Sequence, residues 1–397
     1  MTAVLDESSV TTPQSDILTG RDMLCFSHDW SGDPLSKTHL MRLLSKHNRI
    51  LWVNSIGYRT PTLAKRDIKR IFKKLGAFMQ PITEPEPNIF VLNPLAIPAF
   101  SKRIQSFNRA FLKFQIRRAM KKLKMKNPVN WIFNPAAAII AGQLNESLLI
   151  YYCVDEYSAF TGVPSQTLAQ MERTLLEKAD AVVVSAEKLC ESKKHLRPDI
   201  KIVRHGVDFD HFAKTLSPST PIHPDVANLK KPIIGYFGLI AEDWVDVPLM
   251  EKVAQRFPQA SIVMLGKCTM DVSSLTKYPN VHLLGRKPYA DLPQYCKAFD
   301  VALIPFPISE VTLNANPLKA REYLAAGLPT VSTRIPEVQV LGDKCLIGQD
   351  HEDFCNKIAE ALEQPGPSRE RSESIRPESW SARLDEVKQH IAATAAH

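Results

Sequence analysis

The sequence predicts an α/β protein of two domains, each built on an open parallel sheet with helices on both faces. Three observations predict it. The chain has 397 residues, too many for one ordinary core. Short apolar runs alternate with stretches of helical period, the order that places parallel strands side by side with helices between them. A Pro-, Ser- and Thr-rich stretch without periodicity, residues 214–231, divides the series in two, as an interdomain linker does.

In the first half, apolar runs at 23–27, 50–54, 88–92, 130–133, 148–154, 181–185 and 200–203 read as strands. Helical stretches fall at the run ending near His47, at 164–178 and at 186–195, and a basic helical region follows Tyr58. The second half opens with IIGYFG at 233–238. It continues through a helix to Phe257, then ASIVMLG, NVHLLG, a helix near 292–298, and DVALIPF. A helix after Pro317, strands at 330–333 and 345–347, and helices at 351–363 and 380–394 complete it. The expected division is a disordered polar tail over 1–20, a first domain over 21–206 and a linker over 207–231. A second domain over 232–365 and a terminal segment over 366–397 follow.

Apolar content of 44% and charged content of 23% are ordinary for a globular chain. No apolar run reaches the ~18 residues a membrane span needs, because Asn134 and Pro135 interrupt the nearest one. The polar, acidic start lacks the features of a signal peptide. Seven cysteines without CxxC or Cys/His clustering suggest free thiols in a reducing cytoplasm.

The charge is uneven. Residues 59–126 carry 17 Lys/Arg against 3 Asp/Glu, a net +14, so the rest of the +8 chain sums to −6. Ile68, Ile71, Phe72, Leu75 and Phe78 recur at helical spacing among Lys65, Arg66, Lys69, Arg70, Lys73 and Lys74. Ile104, Phe107, Phe111 and Phe114 form a second apolar side, with Arg117, Arg118, Lys121, Lys122, Lys124 and Lys126 crowding the end. Basic amphipathic helices bind anionic membrane surfaces; the alternatives are solvated domain helices and a nucleic-acid patch. The aromatics sit at core spacing with no RNA- or DNA-binding motif around them, which argues against nucleic acid.

The densest chemistry lies at 315–338, ANPLKAREYLAAGLPTVSTRIPEV. Pro317 suits a helix start and Gly327 its stop. Lys319 and Glu322, three apart, share a face near the helix amino end, where free N–H groups favour anions. A lysine there can hold a diphosphate, and a carboxylate can accept hydrogen bonds from a ribose diol. The segment reads as a nucleotide-sugar donor site.

GVDFDHF (206–212), IIGYFG, the run 279–306 and NPLKAREYLAAGLPTVST resemble the GT-B glycosyltransferases of family 4. Within that family the likeness is to the teichuronic-acid and xanthan-type, glucuronosyltransferase-like branch. SHDW and YYCVDEYSAF in the first half agree, and the resemblance covers roughly residues 21–345. It implies two Rossmann-like domains facing across a cleft, a nucleotide held by the second, and a last helix returning to the first. It also implies that Glu322 binds the ribose, that Lys319 approaches the phosphates, and that Gly238 lets backbone meet the diphosphate. Arg286 and Lys287 fall where the family's backbone reads the base. Asn314 and Asn316 complete the expected donor set. The bland alternatives are a solvated lysine, a strand-ending turn and surface cations.

Two departures stand out. The family's first glutamate, eight before Glu322, is replaced by Asn314, and its basic loop after the first strand of the second domain is the acidic LIAEDWVD. Lys319 is then the expected principal phosphate cation. Asp155, at the end of the strand 148–154, aligns with the branch's catalytic base, with Glu156 as its competitor and a loop cap as the alternative. His28, Asp29 and His39 surround the first strand–helix loop and are candidates for lining the acceptor cleft. Asp208-Phe209-Asp210 has the spelling of a metal-binding DxD, but it sits in the interdomain segment, and no His or Cys spacing suits zinc. No metal or cofactor is expected.

The expectation is therefore a cytoplasmic GT-B glycosyltransferase, peripheral on the inner face of the plasma membrane. It would move a sugar from a nucleotide diphosphate donor, UDP preferred, to a lipid-linked glycan acceptor for a bacterial surface polysaccharide, with no nucleic-acid partner. The alternatives are a GT-B sugar-nucleotide epimerase and a non-catalytic nucleotide-sugar-binding scaffold.

Overall fold

The computed structural model describes residues 17–56, 82–97 and 102–395. The first half forms an eight-stranded sheet in the order β3-β4-β2-β1-β5-β6-β7-β8. Its strands are β1 (Asp22–Phe26), β2 (Arg49–Val53), β3 (Thr83–Glu86), β4 (Ile89–Leu92), β5 (Val129–Ile132), β6 (Leu148–Cys153), β7 (Ala181–Val184) and β8 (Lys201–Ile202). The second half forms a six-stranded sheet in the order β11-β10-β9-β12-β13-β14. There the strands are β9 (Ile233–Phe237), β10 (Ser261–Leu265), β11 (Val281–Gly285), β12 (Val301–Ile304), β13 (Thr330–Thr333) and β14 (Leu346–Gly348).

All named pairings are parallel except β3 with β4, so the first sheet is not wholly parallel as expected. The sequence TEPE of β3 hides a strand, since proline and acids belong at sheet edges. It is held there by Arg42 of α1 (Ser36–Leu44), whose guanidinium grips the Glu86 carboxylate at 2.6 Å.

In the second sheet the chain runs outward from β9 through β10 to β11, then returns to β12 on the other side of β9. That reversal opens a crevice beyond the carboxyl ends of β9 and β12, where α/β sheets bind ligands. Side chains of β9 alternate as a doubly covered strand requires: Ile233 and Phe237 enter one core, Ile234 and Tyr236 the other.

The first core takes four residues from the far end of the chain. Trp380, Leu384, Val387 and Ile391 of the last helix (Trp380–Ala395) pack into it at helical spacing. Leu18, inside the stretch expected as a tail, is also buried there. Phe209, Phe212 and Val226 of the expected linker are packed into the second domain's core.

Helix α2 (Lys102–Leu123) corrects the reading of its aromatics. Phe107 and Phe114 are 53% and 61% exposed, while Asn108, Leu112, Gln115, Ile116, Ala119 and Met120 are buried. Two amides can lie inward because each is satisfied twice: Asn108 by the Ile97 N–H and C=O, and Gln115 by those of Leu95. The basic helix expected around Lys65–Phe78 lies outside the described residues. No helix among the described residues is long and apolar enough to cross a membrane.

Candidate functional site

The helix anticipated after Pro317 is α3 (Leu318–Ala325). Pro317 stands just before its first turn and Gly327, at φ +80°, just past its end. The buried Tyr323 hydroxyl accepts the Phe237 N–H at 2.9 Å, which locks α3 against the end of β9. Lys319 is thereby laid over Gly238. Its ammonium sits 5.8 Å from the Tyr236 ring centre and 5.5 Å from that of Phe306. Gly238 has φ +142°, and a methyl group on it would stand 2.0 Å from Lys319 Cε. Only glycine allows both that backbone and that approach.

Burial lowers the Lys319 pKa, with Glu322 acting in the opposite sense. Glu322 is pushed up to about 7 by burial, against the pull of Lys319 and with the help of Asp208. No ion pair joins Lys319 and Glu322 among the described residues, so each can take a ligand. Tyr289 lies beside them; burial, Glu322 and Asp208 all raise its proton affinity.

Residues just before α3 form the seam between the domains. Asn316, expected at the donor, is 4% exposed and fully engaged: its Nδ2 donates to the Ser185 carbonyl, its Oδ1 accepts from Arg321, and its carbonyl meets His205 Nδ1. The Ser185 hydroxyl donates in turn to the Val154 carbonyl at 3.0 Å. Buried Glu337 accepts from the Glu187 N–H and from Arg204, both in the first domain. A carboxylate so shared is costly to unpair. These bonds set the start of α3 next to the end of β6, and therefore next to Asp155.

The Asp155 carboxyl is partly buried and makes no hydrogen bond among the described residues. Burial raises its pKa to about 6; Lys37 opposes and Glu156 assists that rise. Glu156 is occupied otherwise. Its carboxylate receives Lys193 at 2.6 Å and the Ser158 hydroxyl at 2.6 Å, and Lys193 also reaches Glu172 at 3.2 Å. Burial works to raise the Glu156 pKa, but the Lys193 charge together with the hydrogen bonds from Lys193 and Ser158 outweighs it and holds the group below its ordinary range. A carboxylate bound so tightly is a poor proton acceptor. Lys37, in the first turn of α1, is 7% exposed and escaped the sequence reading. A lone lysine in a helical stretch reads as solvated, and only the fold shows it buried.

The remaining candidates separate. His28 is held by the Ser27 hydroxyl and the edge of Trp52, and burial lowers its pKa to about 3. Asp29 is exposed and accepts the Ser55 N–H. His39 stacks on Trp380 at 5.4 Å, 4.0 Å from the Asp208 carboxylate, and belongs to the joint between the domains. Arg286 reaches across to Asp33 at 2.7 Å, an exposed bridge worth at most about 1 kcal/mol. The Lys287 side chain pairs with Asp225 at 2.7 Å, which also accepts from Tyr295; this leaves its backbone, the part expected to read the base, uncommitted by that pairing. Asn314 donates to the Glu310 carbonyl, closing a short helical turn. In the acidic loop, Asp243 accepts from Thr161 of the first domain, and Asp246 caps the next helix and meets His351. No group of three or more His, Cys, Asp or Glu among the described residues could hold a metal ion.

Residues 231–364 match the family model of glycosyl transferases group 1. TuaH of Bacillus subtilis (strain 168), a protein named for teichuronic acid biosynthesis, is 25% identical over 222 residues. The match covers 52% of this chain, which spans about half of that relative, 55% of its length. Sucrose-phosphate synthase from Thermosynechococcus elongatus superposes with a TM-score of 0.69 at 14% identity, over 95% of this chain and 99% of that one. Anabaena HepE in complex with UDP-glucose superposes with a TM-score of 0.62 at 13% identity, over 94% of this chain and 99% of that one. The α/β fold with its two sheets is the GT-B fold.

Proposed function

We propose that this protein is a glycosyltransferase that takes a sugar from a nucleotide diphosphate donor, UDP preferred, and passes it to a hydroxyl of a lipid-linked glycan. The observation that carries the reading is the Gly238–Lys319–Glu322 cradle at the β9/β12 crevice. It combines a backbone open to close approach, a cation held over it, and a carboxylate one turn further along α3. Support comes from the group 1 domain over the same residues and from a GT-B neighbour solved with UDP-glucose.

In this reading Glu322 accepts the two ribose hydroxyls, and Lys319 with the first N–H groups of α3 takes the charge of the departing diphosphate. Asp155 removes the proton of the acceptor hydroxyl as its oxygen bonds to the anomeric carbon. The bond from that carbon to the diphosphate breaks, and its electron pair leaves with the nucleotide. No metal is required in this scheme. The donor belongs to a second domain of about 232–365 and the acceptor to a first domain of about 21–206. Free UDP, and UDP-sugars, should raise the melting temperature of the native protein by mass action. Glu322→Ala should abolish that shift and raise donor KM about tenfold or more, for the loss of hydrogen bonds to a charged group. No melting shift with any nucleotide, or an unchanged KM in Glu322→Ala, removes the donor assignment.

In this reading the protein meets its lipid-linked acceptor at a membrane through α2. Exposed Phe107 and Phe114 stand on a helix whose last turns carry Arg117, Arg118, Lys121 and Lys122 on the surface, a pattern that suits anionic lipid at roughly 1 kcal/mol per cation. In flotation with vesicles of anionic phospholipid, the native protein should rise with the lipid. Phe107→Ser/Phe114→Ser should stay behind, and equal flotation of the two would refute this placement.

A further inference from the structure

Parallel strands all start on one edge of their sheet, so residues far apart in sequence meet there. Strands β2, β1 and β5 lie side by side, with Asp22 opposite Arg49 and Met23 opposite Val129. Their amino ends gather Arg21 before β1, Lys46 and Arg49 at the start of β2, and Lys126 before β5. These residues line a recess of about 670 Å³, within the roughly 300–1,000 Å³ of small-molecule sites. The Asp155 loop lies off the opposite, carboxyl edge, beyond the length of a strand, which for the five residues of β1 is about 16 Å.

The recess carries four Lys/Arg side chains against one carboxylate, Asp22, and that carboxylate is already engaged. Arg49 grips its Oδ1 at 2.6 Å and also donates to the Leu123 carbonyl at the end of α2, while its Oδ2 accepts the Lys126 N–H at 2.9 Å. Glu84 of β3 accepts the N–H of Asn88, a residue at the rim, at 2.9 Å. The other cations are unopposed. Arg21 donates to the neutral Ser147 hydroxyl at 2.7 Å, which fixes the guanidinium without cancelling its charge. The Lys46 and Lys126 ammonium groups make no hydrogen bond or ion pair among the described residues. They flank Arg21 from β2 on one side and β5 on the other. Adjacent strands are about 4.8 Å apart, so both long side chains can close on one ligand. Like charges gathered in this way repel, and an anion among them removes the repulsion.

We propose that this recess is an anion site, separate from the donor crevice, for a ligand that carries a phosphate group. Phosphate suits the set, because Arg21 offers its remaining N–H donors in a fixed plane and the two lysines act as mobile point charges. The site is built by the first domain alone, so it stands independently of the transfer reading. Soluble phosphorylated molecules and lipid headgroups both carry such a group, and the experiment separates them.

The test titrates inorganic pyrophosphate into the full-length Lys319→Met protein, which lacks the cation of the donor crevice, and follows the heat of binding. One site should appear. Lys46→Gln/Lys126→Gln in the same background should weaken it about tenfold or more, as charge-assisted hydrogen bonds are lost. Both lysines are exposed, so the melting temperature should hold. Lys178→Gln/Lys194→Gln removes equal charge further along the same edge, before β7 and β8, and should change the affinity by less than about threefold. Absence of binding in the Lys319→Met protein, unchanged binding in Lys46→Gln/Lys126→Gln, or an equal loss in Lys178→Gln/Lys194→Gln overturns the site. Flotation with phosphatidylglycerol vesicles then identifies the source of the phosphate. Once pyrophosphate binding is lost, reduced flotation of Lys46→Gln/Lys126→Gln assigns the group to a lipid headgroup, and native flotation assigns it to a soluble molecule; both uphold the site.

Discussion

Asp155→Asn lowers kcat by about a thousandfold and leaves donor binding intact, within the 10²- to 10⁴-fold that a positioned general base contributes. The expectation follows from three features together. Asp155 stands at the carboxyl end of β6, its carboxyl has no hydrogen bond among the described residues, and its pKa is raised to about 6. A carboxylate with that proton affinity is ionised at neutral pH yet takes a proton more readily than a solvated one. Its neighbour makes the contrast: Glu156 spends its oxygens on Lys193 and Ser158. Glu156→Gln should therefore cost stability before it costs turnover. Steady-state kinetics alongside the UDP melting shift separates the two, and native turnover in Asp155→Asn would end the assignment.

Lys319→Met carries the second large effect, a fall in kcat of about 10²- to 10³-fold, the range for removing one charge-stabilising donor from a transition state. The loss should be steep because the charged groups described around it are committed elsewhere. The loop after β9 is acidic, and its Asp243 and Asp246 are committed to Thr161 and to the following helix. Arg286 and Lys287 are each paired with an aspartate. Methionine keeps the packing against Tyr236 and Phe306 while removing the ammonium, so a collapse of the fold is not expected to confuse the result. Pre-steady-state measurement of the transfer step checks it. A variant within about threefold of native would shift the phosphate charge to the α3 N–H groups alone.

The parts of this molecule that were legible in the sequence are those in which local pattern and tertiary role coincide. β9 is a continuous apolar run because both its faces are covered, and α3 carries its start and stop signals in its own residues. Lys319 and Glu322 share a face by spacing alone. The parts that were not legible depend on partners far along the chain. The Lys287 side chain pairs with Asp225, 62 positions earlier, and no local pattern announces that partner. Asn316, in the expected donor set, gives its amide to Ser185 across the seam, 131 positions earlier. In α2 the aromatics at helical spacing suggested a buried face, yet Asn108 and Gln115 took the inside by serving the backbone of residues 95–97. Polar residues can win a core position when they replace a missing strand partner, and no periodicity reports that.

Trp380, Leu384, Val387 and Ile391 lie inside the core of the domain that is encoded first. A ribosome making this chain therefore releases the whole second domain before it delivers the last pieces of the first. The first core is therefore complete only once residues 380–391 have emerged, after the whole of the second sheet.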